Sequence, residues 1–389
     1  MSRKRGNGEG SITKRKDGRY MARYTVHTAK GLKRKTVYGR TRKEAAEKLA
    51  RALSDSAGGI FYDDENLTVG EYLDGWLKGS VRGTVRQSTY DRDEYLVNYH
   101  VKPVLGRRRL NKLSPAHVQG FYSGRLDAGL SSSTVHKIHT VLHKALSQAV
   151  AWSLVPRNVT EAVKPPAPSP REMRPLTTDE ARRLLDAARG DRLEALYILA
   201  ITTGMRQGEL LGLKWSDVDL EEPENGSLCV RRTLTRIDGG KRVVLGEPKT
   251  RKSRRTLRLT PEAVQILRRH LELQMEEIGL LGDRYGDQGL VFTTEAGTPV
   301  NPSNLRQRSF APLLRRAGLP PIRFHDLRHT CATLLLAQGT HPKFVQELLG
   351  HAAIAITLDT YSHVLPGMGD QTVRAMQDAL YPVQNPFTD

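Results

Sequence analysis

The sequence has few cysteines and no long apolar run, and each shortage excludes a class of protein. Only two of the 389 residues are cysteines, Cys229 and Cys331. Two cysteines are too few for a disulfide framework, which favours a reducing cytoplasm with both thiols packed as small apolar groups. The best apolar stretch, Ala195 to Ile201, is far shorter than the roughly 18 residues that a membrane-spanning helix needs. The basic opening MSRKRGNGEGS leads into no apolar core, so it does not indicate a signal peptide.

Acidic residues are also scarce relative to basic ones. The chain has 61 Lys and Arg against 42 Asp and Glu, a net charge of +19. The segment 1–53 alone has 17 basic and four acidic residues, and so carries +13 of that charge. This surplus indicates a polyanionic partner, nucleic acid before an acidic membrane surface. A solvated basic tail is the alternative interpretation.

The basic N-terminal segment has the pattern of a small sheet followed by a helix. SITKRK and RYMARYTV flank Asp17-Gly18, a strong signal for a hairpin turn, and KRKTVYG supplies a third strand. Thr41 and Glu44 form a capping box that opens a helix. Such a sheet can enter a DNA groove. The candidate DNA contacts here are Arg19, Arg23, Lys33, Arg34 and Lys35.

A Gly-, Asp- and Ser-rich linker at 54–66 leads into a helical segment. Helical patterns cover about 68–78, 88–101, 115–128 and 131–152, with Thr68 and Ser114 as caps. The last of these helices carries two further candidate DNA contacts, Lys137 and Lys144, among several histidines. A solvated face near phosphate is the preferred interpretation of those histidines, and a metal site is the alternative.

A Pro-rich linker from Pro165 precedes the largest segment, which mixes helices and strands. Helices are expected near 178–189, 191–203 and 261–278, with short helices from 302 to 380. Strands are expected near 227–234, 241–245 and 254–259. Near the C-terminus, helical spacing of apolar residues predicts a helix that packs on a neighbouring protomer; these residues are Val373, Met376, Ala379 and Leu380.

Two motifs in this segment combine a basic residue with a turn. In TTGMRQGELLGLKWSDVD, Arg206 follows Gly204, and Glu209 lies one helical turn further on, where it can hold the guanidinium. A purely structural Arg–Glu pair is the alternative. EPKTRKSRRTLRL predicts a strand pair whose turn carries five basic residues: Lys249, Arg251, Lys252, Arg254 and Arg255. Such a turn is typical of a DNA-contacting or solvated loop, although a lysine there can also reach a leaving oxygen.

Two later motifs place histidines near a second arginine and a tyrosine. In FHDLRHTCATLLL, His325 and Arg328 are three residues apart and share one helix face. In ELLGHAAIAITLDTYSHV, His351 follows the helix-ending Gly350, and Tyr361 comes ten residues later. The neighbouring His329 and His363 are interpreted as structural.

In this order, six residues resemble the active site of the tyrosine recombinases: Arg206, Lys249, His325, Arg328, His351 and Tyr361. HDLRH, LLGH and TLDTY resemble that family's signatures, and the resemblance covers almost the whole chain. The N-terminal sheet is similar to the arm-type DNA-binding domain of lambda-like phage and conjugative-transposon integrases, and the helical segment to their core-binding domain. The resemblance implies a multidomain, mainly α fold with small β-sheets. Its three parts would be a three-stranded sheet plus helix over 1–57, a helical core-binding bundle over 66–164 and an α+β catalytic domain over 174–389.

The resemblance also implies a function. The chain would be a site-specific DNA recombinase that integrates and excises a mobile element through a 3′-phosphotyrosine intermediate and a Holliday junction. Its partners would be double-stranded DNA with core and arm attachment sites, three further copies of itself in a homotetramer, an excisionase and a host DNA-bending protein. It would act in the bacterial cytoplasm, at the nucleoid, without a metal ion, ATP or another cofactor.

The residue types suit that chemistry. Phosphodiester exchange concentrates negative charge on two non-bridging oxygens, to which Arg206 and Arg328 can offer forked donors and His351 a further hydrogen bond. Tyr361 would be the nucleophile, with His325 as proton acceptor. Lys249 would protonate the departing 5′ oxygen, and Lys252 is the alternative general acid.

Three other functions stay open at this point. A type IB topoisomerase shares the tyrosine-and-arginine chemistry, and a non-catalytic DNA-binding regulator could keep the fold. A chromosome-dimer resolvase resembles this chain only without its N-terminal 60 residues.

Overall fold

The computed structural model describes most of the chain in six ranges: 11–28, 31–56, 66–168, 173–222, 224–247 and 254–361. Five residues of the C-terminal segment are also described, namely Val373, Met376, Gln377, Ala379 and Leu380. The chain divides into two compact units, Met1–Pro170 and Arg171–Asp389. Each unit is described by itself below.

The first unit begins with an antiparallel three-stranded sheet and one helix. The strands are β1 (Ser11–Lys14), β2 (Tyr20–Thr28) and β3 (Gly31–Gly39), in that order across the sheet, and α1 spans Arg42–Ser56. The helix is capped as expected, because the Glu44 amide donates to the Thr41 hydroxyl at 3.1 Å. Ala22 of the sheet and Ala45 and Leu49 of α1 are buried. The predicted sheet-plus-helix is therefore confirmed.

The rest of the first unit is a helical bundle around its own apolar core. Thr68 and Ser114 are N-caps with capping boxes, and Pro115 follows Ser114 in the first turn, as predicted. The helices that end at Trp76 and Leu96 each continue into a π-helical turn. The bundle helices are α2 (Val69–Trp76), α3 (Gln87–Leu96), α4 (Lys102–Leu105), α5 (Pro115–Asp127) and α6 (Ser132–Ala151).

The second unit is α+β, with a helical core flanked by two small sheets. Its apolar centre is α8, of which Ala195 to Ile201 are all buried, as the apolar stretch in the sequence predicts. The helices are α7 (Thr178–Ala188), α8 (Glu194–Thr203), α9 (Gln207–Leu211), α10 (Pro261–Leu281), α11 (Pro302–Asn304), α12 (Ala311–Arg316), α13 (Asp326–Ala337), α14 (Pro342–Leu349) and α15 (Ile354–Tyr361). The strands are β4 (Val218–Asp219), β5 (Ser227–Val230), β6 (Thr233–Ile237), β7 (Arg242–Gly246) and β8 (Arg255–Arg258).

The pairing of these strands corrects one expectation. The strands that flank Lys249 were expected to pair with each other, but β7 pairs with β6 and β8 pairs with β5. The three-stranded sheet has the order β4-β5-β8, and β6-β7 is a separate hairpin. The prediction of a strand pair closed by the Lys249 turn is therefore wrong, and that segment connects two sheets. Sequence pattern indicates strands but not which strand is the partner, because pairing is decided by contacts far apart in the chain.

Among the described residues, no helix is both long enough and apolar enough to cross a lipid bilayer.

Candidate active site

The first arginine of the predicted site lies where one helix ends and the next begins. Arg206 is the N-cap of α9, and Glu209 lies in the first turn of that helix. The Arg206 Nη1 donates to Glu209 Oε1 at 2.8 Å, and the Arg206 amide donates to Glu209 Oε2 at 3.0 Å. Glu209 is buried, whereas 38% of the Arg206 side chain is exposed. The carboxylate therefore holds an arginine that can still meet a ligand.

An arginine outside the six predicted residues, Arg255 at the start of β8, completes this ion-pair network. Its side chain is 8% exposed, and its Nη2 lies 3.0 Å from Glu209 Oε2. Its Nε donates to the Leu348 carbonyl at 2.6 Å, near the end of α14. Burial alone would raise the pKa of Glu209, but Arg255 and Arg206 hold that pKa below its usual 4.5. Glu209 therefore stays ionised between two guanidiniums.

The second predicted arginine, Arg328 on α13, is almost fully buried. Its Nη1 donates to the Gly204 carbonyl at 2.8 Å. Its Nη2 is buried and has no hydrogen-bond partner within the described part of the chain. Burial and the nearby Arg206 charge lower the pKa of Arg328 to about 9, so the guanidinium remains charged at neutral pH. An unpaired buried donor of this kind is costly unless an acceptor arrives.

Two glycines bring backbone carbonyls to these arginines. Gly204 ends α8 at φ +60°, and Gly350 ends α14 at φ +66°, both in the left-handed region. The Gly350 carbonyl lies 3.5 Å from Arg206 Nη2. A Cβ on Gly204 would come within 2.6 Å of Leu349. Only glycine combines that backbone angle with that close approach.

Tyr361, the last residue of α15, is 2% exposed and packs against Ala332, Leu336, Val345 and Leu349. Its hydroxyl lies 2.7 Å from the Nδ1 of His329 on α13. Burial raises the pKa of Tyr361 to about 12, with the Arg328 charge acting in the opposite direction. The sequence pattern favours a structural role for His329, but the structure places this residue in direct contact with the predicted nucleophile.

Two further predicted residues, His325 and His351, lie near the same two arginines. His325 immediately precedes α13, and its ring centroid lies 5.0 Å from that of His329. Burial and the Arg328 and Arg206 charges lower the pKa of His325 below 6.5. His351 Nδ1 lies 2.9 Å from the Thr357 hydroxyl. Burial, Arg328 and Arg206 lower the pKa of His351 to about 4, so it is neutral at pH 7.

These side chains form one group, which we call the arginine–tyrosine cluster: Arg206, Glu209, Arg255, His325, Arg328, His329, His351 and Tyr361. Three guanidiniums face a single carboxylate, so the cluster is electropositive. An anion with several oxygens would find forked donors here beside a tyrosine hydroxyl. In chemical terms, the arrangement can bind a phosphodiester and offer it a nucleophile.

The other predicted site residues differ in how much of each the structure describes. Lys249, Arg251 and Lys252 lie outside the described residues. Lys33 and Lys35 are described in backbone only, opposite Val26 and Tyr24 in β2. The remaining candidates for DNA contact are all exposed: Arg19, Arg23, Arg34, Lys137 and Lys144.

Two members of the cluster were missed by sequence reasoning, although a signal for each was present. Arg255 was grouped with the basic turn. Strand alternation from the buried Leu257 and Leu259 would have placed it on the inner face. His329 follows His325 by four residues, so both lie on one face of α13.

The histidines of α6 lie in a row, with ring centroids 6.2 Å apart for His136–His139 and 5.9 Å for His139–His143. Nowhere in the described residues are three His, Cys, Asp or Glu side chains grouped so as to hold a metal ion.

Comparisons with known proteins identify the family of this chain. Residues 174–367 match the phage integrase family, and residues 68–125 match the SAM-like N-terminal domain of phage integrases. A tyrosine recombinase XerC-like protein of Caldanaerobacter subterraneus subsp. tengcongensis is 33% identical over 381 residues, which covers 93% of this chain and 97% of that protein.

Two solved structures show the same fold. One is the Tn1549 transposon integrase in complex with a circular-intermediate DNA, with a TM-score of 0.65, 22% identity and coverage of 81% of this chain and 99% of that one. The other is a lambda integrase tetramer bound to a Holliday junction, with a TM-score of 0.55, 21% identity and coverage of 92% and 96%. The fold is thus that of the DNA integrases.

The chain belongs to the phage integrase family. It is a site-specific recombinase of the tyrosine type.

Proposed function

We propose that the chain cleaves and rejoins DNA through a 3′-phosphotyrosine bond to Tyr361, with the arginine–tyrosine cluster as its active site. The observation that carries the proposal is the buried Arg328, whose Nη2 has no partner among the described residues and whose charge acts on the Tyr361 hydroxyl. A non-bridging phosphate oxygen is the acceptor that would complete this site.

Each residue would have a distinct part. Arg206 and Arg328 bind the two non-bridging oxygens of the scissile phosphate, where preorganised donors are worth about 2.7–4 kcal/mol each. Because His351 Nδ1 is engaged with Thr357, its Nε2 would donate to the same phosphate. His325 belongs to this phosphate-binding set, and Lys249 or Lys252 protonates the departing 5′ oxygen. The guanidiniums neutralise the phosphate charge in place of a metal ion, and the phosphotyrosine bond conserves the energy of the broken phosphodiester, so ATP is not required.

A suicide substrate tests this proposal. The duplex carries a nick close to the 3′ side of the scissile phosphate. Cleavage therefore releases a short fragment with the new 5′ hydroxyl, rejoining fails, and the covalent protein–DNA adduct accumulates. The core sequence can be selected from randomised nicked duplexes by capture with the wild-type protein. We expect an adduct in EDTA without nucleotide, and none with Tyr361→Phe, which removes the hydroxyl from a fully packed ring. An adduct that persists in Tyr361→Phe would disprove the assignment, and the absence of any adduct with wild-type protein would favour a non-catalytic regulator.

We also propose that three parts of the chain meet DNA. The sheet over 1–57 would bind distal arm sites through residues that include Arg19, Arg23 and Arg34. The bundle over 66–164 would bind core sites through Lys137 and Lys144, and residues 174–389 would carry out the chemistry. Exposure of these basic side chains supports the division. The chain would act in the bacterial cytoplasm to integrate and excise a mobile element, with an excisionase and a DNA-bending protein as further partners.

Assembly would be a homotetramer on two core sites, held in part by the C-terminal segment. Three apolar side chains of that segment are largely exposed: Val373 (65%), Met376 (55%) and Leu380 (62%). Such residues at helical spacing are typical of a helix that packs on a partner. Truncation at about Gly369 should therefore impair tetramer formation more than DNA binding, as measured by light scattering and mobility shift. Unchanged tetramer formation would contradict this role.

A further inference from the structure

The contact between His329 and Tyr361 leads to an assignment that the six-residue resemblance does not contain. The structure places the His329 Nδ1 2.7 Å from the Tyr361 hydroxyl. The hydroxyl of a phenol is a stronger acid than the N–H of a neutral imidazole. The favoured arrangement is therefore a hydroxyl that donates to a lone pair on Nδ1, with the imidazole proton on Nε2.

We propose that His329 is the proton acceptor for Tyr361 during DNA cleavage. This rests on the proposed role of Tyr361 as nucleophile. The six-residue resemblance implies His325 as the acceptor, but the Tyr361 hydroxyl contacts His329, and His325, whose ring lies against that of His329, remains with the phosphate-binding residues. It makes His329 a catalytic residue, since it touches the reacting atom.

The step balances in protons and bonds. As the Tyr361 Oη–phosphorus bond forms, the phenolic proton passes to His329 Nδ1 and the phosphorus–O5′ bond breaks. The leaving O5′ takes a proton from the lysine general acid. In rejoining, a 5′ hydroxyl attacks phosphorus and gives its proton back to the lysine, the Oη–phosphorus bond breaks, and the imidazolium of His329 returns its proton to Oη.

The surroundings of His329 keep it ready to accept a proton. Burial and the neighbouring His325 lower the pKa of His329 to about 4, so it is neutral at pH 7. The groups around it are His325, Asp326, Arg323, Arg328, His351 and Tyr361. A bound phosphodiester adds negative charge, which raises the pKa of a nearby imidazole. At the same time, formation of the Oη–phosphorus bond makes the phenolic proton steadily more acidic, so a weak base suffices when the transfer occurs.

The test uses the full-length protein and two versions of the nicked suicide duplex. One carries the natural oxygen at the 5′ bridging position of the scissile phosphate, and the other carries sulfur. A thiolate leaves without protonation, so sulfur rescues the loss of a general acid but not the loss of a proton acceptor on the nucleophile. The single-turnover rate of adduct formation is measured for wild type, Tyr361→Phe, His329→Asn, His329→Ala and, to compare the two histidines, His325→Asn.

We expect His329→Asn to slow adduct formation by about 100-fold or more on both duplexes. Asparagine keeps a hydrogen-bond acceptor near Oη but is not basic, so its rate should match that of His329→Ala. Added imidazole should restore part of the rate of His329→Ala. With the sulfur duplex, the wild-type rate should fall at low pH, as the base becomes protonated. In His329→Asn that inflection should be absent.

Several results would overturn the assignment. A wild-type rate in His329→Asn with a slow His329→Ala would show that the residue only positions Tyr361. Rescue of His329→Asn by sulfur would show that it acts on the leaving group, and a pH inflection lost only in His325→Asn would return the role to His325. Thermal unfolding and DNA affinity close to wild type establish that His329→Asn is folded. If the wild-type protein forms no Tyr361-dependent adduct, the proposed function fails first, and that outcome is distinct from all the others.

Discussion

Among single residues, Arg255 shows how a buried guanidinium can position the side chains around it. It connects Glu209, which holds Arg206, to the Leu348 carbonyl near the end of the helix that precedes His351. A guanidinium can make both bonds at once because its donors are spread over a rigid plane. Arg255 therefore orients groups on two sides of the phosphate-binding position.

Replacement of Arg255 should affect stability and activity together. Arg255→Ala leaves Glu209 with only Arg206 as a charged partner, which should lower the free energy of unfolding by about 3 kcal/mol. Displacement of Arg206 should slow adduct formation by about 100-fold. Arg255→Lys should lose less stability and less activity than Arg255→Ala but more than wild type, because one ammonium reaches only one of the two acceptors. Urea unfolding and the suicide-substrate assay measure these effects.

The neighbouring Arg254 provides a matched control. Its side chain is 54% exposed and pairs with the exposed Glu247. Arg254→Ala should change the unfolding free energy by no more than about 0.5 kcal/mol. Equal losses in Arg254→Ala and Arg255→Ala would refute a special role for the buried residue.

The histidines of the cluster should make stability depend on pH. In the folded protein the pKa values of His329 and His351 are about 4, below the ordinary 6.5. Between those values the unfolded chain binds protons that the folded chain does not, so stability falls as pH decreases from 6.5 towards 4. Thermal unfolding across this window should show the fall. The double variant His329→Asn, His351→Asn should have a shallower slope, and an unchanged slope would argue against this origin.

At the scale of elements, the site depends on how helices end. The ends of α8 and α14 are both left-handed glycines, and their carbonyls face Arg328 and Arg206. A helix C-terminus leaves carbonyls without intrahelical partners, so it suits the binding of cations. The two arginines thus meet acceptors that the helices themselves do not use.

Gly204→Ala tests this dependence. The left-handed angle alone costs an alanine about 1 kcal/mol, and the 2.6 Å approach of its Cβ to Leu349 should add about 1–3 kcal/mol of overpacking. Activity should also fall, because the Gly204 carbonyl would move away from Arg328. Gly190 is the control, since it has φ +77° but no atom of the described residues lies within 4 Å of the position that an alanine Cβ would take there. If Gly190→Ala and Gly204→Ala lose equal stability, the close approach is unimportant.

At the scale of the whole molecule, most of the net positive charge lies in a different part of the sequence from the arginine–tyrosine cluster. Residues 1–53 hold +13 of the net +19, whereas the arginine–tyrosine cluster lies in the second compact unit. Arginine and lysine contacts to phosphate make affinity fall with salt, by a slope of about 0.9 per contact for duplex DNA. The N-terminal part should therefore supply much of the salt-dependent binding.

Deletion of residues 1–57 should weaken binding to distal arm sites while core cleavage survives. Competition mobility shifts at several salt concentrations measure arm and core affinity separately, and the suicide substrate measures cleavage. The salt slope for arm DNA should decrease in the truncated protein. Equal loss at arm and core sites would contradict a separate arm-binding role.

Much of this molecule follows from local sequence signals. The capped helices, the N-terminal hairpin and the buried apolar stretch of α8 depend on residues close together in the chain, so caps, turns and periodicity predict them. The order and spacing of Arg206, His325, Arg328, His351 and Tyr361 were enough to indicate the family. Each of these residues lies in a short motif whose local structure is simple.

Only the tertiary structure decided which of these groups touch. Residues 206, 255, 328 and 361 come from different elements, and their meeting depends on strand pairing and helix packing across many residues of sequence. For that reason the sequence pattern predicts the wrong partner strand for β8 and a surface position for Arg255. For the same reason His329 was passed over: its neighbour Tyr361 lies 32 residues away in the chain and only 2.7 Å away in space.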